Sequence, residues 1–217
     1  MIKHYEWKTI RANTLEEELK AYNDACFEEF MNVHEHIDEI KAVFEKELAK
    51  SNDGTRNRAA EEIIKYLYAI SYSEYLATGD KSNLALHSGY ADSLIYIANM
   101  VEAAGNGDVE TFEKVLNTLP WGDSGTGDQI AYNSTMFAIW ILSNESREKV
   151  YDIVFNRMKN SNNALGSAQK TVNIMCKFFN MSTLESLIEH NNESEEMVNA
   201  KVKAAKKQPE NGGWSDE

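Results

Sequence analysis

From Leu15 to Lys50 the chain contains neither Gly nor Pro, and its apolar residues recur at a helical interval throughout. They fall at Leu15, Leu19, Tyr22, Cys26, Phe30, Val33, Ile37, Ile40, Phe44 and Leu48, always three or four residues apart. At roughly 100° per residue they lie within about 80° of arc, a single apolar stripe. Thr14 and Glu17 have the spacing of a capping box at its start. The pattern predicts one long N-terminal helix, about 15–50. A helix of that length with one apolar face must lie across other elements.

The remainder reads as shorter helices separated by turn residues. Helical periods span about 57–78, 82–104, 108–119, 130–142, 146–160, 164–180, 183–191 and 194–207. Gly79-Asp80, Gly105-Asn106-Gly107 and the Gly-rich loop from Pro120 to Gly127 punctuate them, and Asp108 is placed to cap the helix that follows it. The expected fold is all-α, an irregular bundle of about nine helices in a single domain over 1–207. Residues 1–12 are expected as an extended arm, since Tyr5 and Trp7 alternate with polar neighbours. The polar, Gly-rich stretch 208–217 is expected as a disordered tail. Trp121, Phe137, Trp140, Tyr151, Phe155, Phe178 and Phe179 place the better-packed region in the C-terminal half, with Trp140 in the core. Tyr66, Tyr68, Tyr72 and Tyr75 are expected to pack rather than to stack on bases.

Lys and Arg total 22 against 35 Asp and Glu, a formal charge of −13 and a pI near 4.9. A general nucleic-acid binder needs a basic footprint, so direct nucleic-acid binding is not expected. Anionic membranes are disfavoured on the same ground. No run of 18 apolar residues is present, and no signal-peptide pattern follows Met1. Cys26 and Cys176 both sit in apolar helical patterns, which fits two buried free thiols. A cytoplasmic location is the resulting expectation.

Motifs that carry chemistry are sparse. His34 and Asp38 have i, i+4 spacing, but His34 and His36 point about 160° apart on a helix and cannot share a metal. Gly122-Asp123-Ser124-Gly125 repeats the string around the nucleophile of trypsin-like proteases, a fold that is all-β and needs a framework absent here. A phosphate-binding loop of the Walker type is excluded by spacing. No catalytic residue and no cofactor is assigned.

Glu35-x-x-Asp38 is similar to the acidic helix of the all-α nucleotide pyrophosphatases, and Ala91-Asp92-Ser93-Leu94-Ile95-Tyr96 resembles that family's second helix. The resemblance implies a Mg²⁺-dependent nucleoside triphosphate hydrolase using Glu35, Asp38, Glu39 and Asp92, with Glu61 or Glu62 as substitutes. The sequence departs from the pattern at Gly89, where a second carboxylate belongs.

Charge placement is the feature above background. Nine acids and one base, Lys20, lie between Leu15 and Ile40. Glu17, Asp24, Glu28, Glu35 and Glu39 project within roughly 40–60° of one another, opposite the apolar stripe, in a row about 33 Å long. Such a row fits a docking surface for a basic protein, steering its approach or imitating the phosphates of nucleic acid. Trp121, in the Gly-rich loop, is the candidate aromatic anchor. A small, acidic chain without catalytic motifs matches a phage-type or immunity-type inhibitor of a nucleic-acid-handling enzyme or toxin. A structural helical adaptor is the remaining alternative.

Overall fold

The computed structural model describes residues 1–85, 88–121 and 125–159. Among these the fold is all-α, with no strand. The chain divides into two compact units, Met1–Val150 and Tyr151–Glu217. The second is described through one helix, Tyr151–Lys159, in which Val154 and Phe155 are buried. The helices expected at 164–180, 183–191 and 194–207, together with Cys176, Phe178, Phe179 and the tail at 208–217, lie outside the described residues.

The first unit opens with a non-helical arm, followed by α1 (Leu15–Glu35) and α2 (Ile37–Leu48). Thr14 caps α1, its hydroxyl accepting from the Glu17 N–H at 3.2 Å, while the Glu17 carboxylate accepts from the Asn13 N–H at 3.0 Å. The long N-terminal helix is thus present, with one interruption. At His36 the backbone leaves the helical region (φ −103°, ψ 4°) before the helix resumes. No Gly or Pro announces the break. Cys26, Phe30, Val33, Ile37, Ile40 and Phe44 are buried on both sides of it, so the interruption lets one stripe follow the core. The stripe's first residues do not reach that core: Leu15 is 71% exposed and Leu19 55%.

α3 (Gly54–Ile64) runs through a π-helical turn, Lys65–Ala69, into α4 (Ile70–Thr78). The wider turn inserts an extra residue per repeat and rotates the following face. Consecutive Leu67 and Tyr68 are consequently both buried, while Tyr66 is turned outward at 62% exposure. Tyr68 stacks on Phe30, ring centroids 5.4 Å apart, and shares a 2.6 Å hydrogen bond with His34. Gly79, at φ +67°, closes α4 in the left-handed conformation that glycine adopts without a Cβ clash.

After the short α5 (Ser82–Ala85) comes α6 (Ser88–Gly105), the centre of the unit, packed by α1, α2, α7 (Val109–Thr118) and α8 (Gly125–Ile141). Ala91, Leu94, Ile95, Ile97, Ala98, Met100, Val101, Ala103 and Ala104 are all buried. An α-helix apolar on nearly every side is a core helix. Gly107 ends it at φ +76°, with Asp108 N–H reaching Ala103 O at 2.8 Å and Gly107 N–H reaching Ala104 O at 3.0 Å, the Schellman pairing. Asp108 then caps α7 through the Thr111 N–H at 3.0 Å.

Two expectations about packing are corrected. The core of the first unit centres on α6 rather than on the Trp140 region, because α1, α2, α7 and α8 all pack on α6. Trp140 is 37% exposed, on the outer side of α8. Its aromatic bulk suggests a core position, but the buried positions of α8 are others, among them Ala131, Tyr132, Met136, Ala138, Ile139 and Ile141.

Two polar side chains bind the lower end of this unit. Glu47, 2% exposed, accepts from the Ser143 N–H at 2.9 Å and pairs with Lys50 at 2.7 Å, tying α2 to the start of α9 (Asn144–Glu148). Arg56 is 5% exposed and donates to Ser51 Oγ and to the carbonyl of Ile141, satisfying an orphan group at the end of α8.

Candidate functional site

The N-terminal arm lies in a groove between α1 and α6, and its contacts are specific. Asn99, buried on α6, grips Ile2 from both directions: its Oδ1 accepts from the Ile2 N–H at 2.8 Å and its Nδ2 donates to the Ile2 carbonyl at 2.9 Å. The Ile2 side chain is 6% exposed. His4 Nδ1 bonds to Asp92 Oδ2 at 2.8 Å, and the imidazole lies 3.8 Å from the Tyr96 ring centroid. On the α1 side, Asn32 donates to the Lys3 carbonyl at 3.1 Å, Tyr5 donates to Glu28 at 2.6 Å and Trp7 Nε1 donates to Glu29 at 3.0 Å. Higher-numbered arm residues meet lower-numbered helix residues, so the arm runs antiparallel to both helices.

The sequence builds this groove by a polar stripe on an otherwise apolar helix. Asp92, Tyr96, Asn99 and Glu102 stand four, three and three residues apart, on one side of α6. Burial pushes the Tyr96 hydroxyl up to about 12, with Asp92 and Glu29 adding to the shift. Tyr5 is raised to about 12 as well, first by its hydrogen bond to Glu28. Both phenols therefore remain protonated donors at neutral pH. Asp92 is 8% exposed, and its Oδ1, like His4 Nε2, is buried without a hydrogen-bond partner among the described residues.

The acidic row is largely engaged within the fold. Glu17 caps α1, Asp24 pairs with Lys81 at 3.1 Å, Glu28 holds Tyr5, and Glu39 bonds to His36 at 3.1 Å. Glu35, at the end of α1, is exposed and makes no hydrogen bond or ion pair among the described residues. Asp38 is 96% exposed, with Lys41 at 3.8 Å. Glu35, Asp38 and Glu39 thus form an exposed acidic patch around the His36 break. Trp121 is half-buried: its Nε1 donates to the Leu116 carbonyl at 2.7 Å and its ring meets Tyr132 edge-on at 5.1 Å.

The four carboxylates of the hydrolase reading are not brought together. Glu35, Asp38 and Glu39 face outward at the α1–α2 junction, whereas Asp92 lies beneath the arm on α6. Glu61 and Glu62 are exposed on α3. Among the described residues no group of three His, Cys, Asp or Glu side chains converges as metal ligands. His34 and His36 are separately engaged, by Tyr68 and Glu39.

Two apolar clefts flank α3 and its π turn. One of about 640 Å³ lies against α2, with Phe44, Leu48, Ala60 and Ile64 in its wall. The other, about 610 Å³, lies against α8 and is walled by Ile63, Tyr66, Phe137 and Trp140. Charges of both signs rim each cleft, Lys41 and Glu45 in the first, Arg58 and Glu62 in the second.

The sequence points to Asp92 only through the hydrolase resemblance, and gives Asn99 and Glu29 no recognition role. The available signal was the polar stripe on α6, set against its apolar surroundings. Among the described residues no helix is long and apolar enough to cross a membrane. No family model, no characterised protein and no solved structure matches this chain.

Proposed function

We propose that this chain is a non-enzymatic, acidic binding protein that docks on a basic protein, inhibiting a nucleic-acid-handling enzyme or toxin by occupying its cationic surface. The observation that supports the reading is where the charge lies. Residues 1–150 carry 26 Asp and Glu against 14 Lys and Arg, nearly the whole imbalance of the chain. At the α1–α2 junction, Glu35, Asp38 and Glu39 stand exposed. Clustered exposed carboxylates cost stability through mutual repulsion and accelerate encounter with a cationic surface.

The test is affinity capture from lysate at low and high salt, with the bound protein identified by mass spectrometry. The reading expects one basic protein, retained at low salt and released at high salt, because steering between exposed charges is screened beyond about 8–10 Å at physiological ionic strength. Capture of an acidic or neutral protein with no salt dependence would contradict it. The hydrolase alternative is tested by incubation with nucleoside triphosphates and Mg²⁺. Pyrophosphate release that is lost in Glu35→Gln would overturn the non-enzymatic reading.

A further inference from the structure

We infer that the groove between α1 and α6 is a peptide-binding site for extended segments rich in hydrogen-bond donors, with arginine favoured at the position His4 now holds. The N-terminal arm is its resident, exchangeable occupant. The inference rests on the reading of the protein as a binder of basic partners, and it names the surface and the ligand class.

The docked arm displays the chemistry of the site. Three carboxylates, Glu28, Glu29 and Asp92, each receive a side-chain nitrogen or hydroxyl of the arm. Asn99 reads only main-chain groups, as a β-strand partner would, and so accepts any residue whose side chain fits the Ile2 pocket. Together they select an extended segment with an apolar residue, then a cationic donor two positions later, then donors at the third and fifth.

The arm fills this site imperfectly. Asp92 Oδ1 and His4 Nε2 are both buried and, among the described residues, unpartnered. An imidazole offers one N–H toward the carboxylate and strands its second nitrogen. A guanidinium offers two parallel N–H groups that match both oxygens. A ligand carrying arginine there satisfies what the arm leaves open. The tether also permits exchange: residues 8–12 make no hydrogen bond among the described residues, and Arg11 and Ala12 are exposed. The arm can leave without unwinding α1.

The test uses the full chain and a fluorescent octapeptide of residues 1–8, read by polarisation. In the wild-type chain the tethered arm competes at an effective concentration on the order of millimolar, so the peptide binds weakly. In the Ile2→Ser/His4→Ala chain the arm is a poor competitor, and the peptide should bind at least tenfold tighter. The same peptide carrying His4→Arg should bind tighter still, and adding Asn99→Leu to the chain should abolish binding of both. If the Ile2→Ser/His4→Ala chain does not fold, Tyr5→Phe/Trp7→Ala serves instead, since it removes donors at positions that folding does not bury. Equal peptide affinity in wild-type and arm-weakened chains, or binding indifferent to Asn99→Leu, overturns the proposal. No partner enters this experiment. A failed titration therefore refutes the groove alone, while a failed capture refutes the reading on which it rests.

Discussion

Asn99 and Ile2, 97 residues apart in sequence, are joined by a reciprocal pair of hydrogen bonds in which a side-chain amide replaces the backbone of a neighbouring strand. The pair fixes the arm's register. Once Ile2 is held, His4 falls on Asp92, and Tyr5 and Trp7 reach α1.

Replacing Asn99 by Leu removes both bonds and leaves the Ile2 N–H and carbonyl unpaired. A buried polar group left unsatisfied costs about 1–3 kcal/mol, so Asn99→Leu is expected to release the arm rather than unfold the helices. Limited proteolysis should then cleave within residues 1–8 much faster than in wild type, with the helical circular dichroism retained. An arm that stays protected would show that the Ile2 pocket alone holds it.

Phe30 and Trp140 separate burial from size. Phe30 is fully buried, and truncation to Ala should cost about 3–5 kcal/mol in denaturant unfolding. Trp140, at 37% exposure, should cost about 1–2 kcal/mol, in proportion to the smaller area removed from water. Equal losses would contradict the placement of Trp140 on the outer side of α8.

Glu47 gives the first unit a pH dependence of defined sign. Burial works to raise its pKa, but Lys50, Ser146 and Ser143 together hold it below its ordinary value of 4.5. A carboxyl depressed in the folded state stabilises at pH above its unfolded pKa, and that contribution is lost as pH falls through the folded value. Glu47→Gln should therefore lower the melting temperature at pH 7, and the difference from wild type should shrink in acid, as the pH falls below the ordinary value of 4.5. Gly105→Ala probes the same junction, since a Cβ there would meet Glu47 Oε2 at 2.5 Å. It should destabilise at both pH values.

The helical class and the stripe from Cys26 to Phe44 were legible because periodicity reports burial directly. The break at His36 and the π turn at Lys65–Ala69 were not, because neither carries a Gly or Pro to mark it in the sequence. The Thr14 and Asp108 caps were legible because each is a local pairing three residues long. The arm's destination required long-range partners, Asn99 and Asp92, that no local pattern connects to Ile2 and His4. Glu47 left a fainter trace, a carboxylate three residues after Phe44 on the buried side of α2. The acidic row was legible as a pattern, but not the internal use of Glu17, Asp24, Glu28 and Glu39, since their partners are set by the fold.

The claim that an acidic surface docks on a basic protein is tested most directly by reversing the patch the fold uses least. Glu35→Lys/Asp38→Lys/Glu39→Lys removes the exposed patch and, within the fold, one exposed pair to His36 and a long one to Lys41, interactions worth about 0–1 kcal/mol each. The triple variant and wild type are compared by melting curve and by association rate with the captured partner at low and physiological salt. The account predicts nearly superimposed melting curves, with binding strongly weakened and the salt dependence of association reduced. Binding as tight and as salt-sensitive as wild type would contradict it.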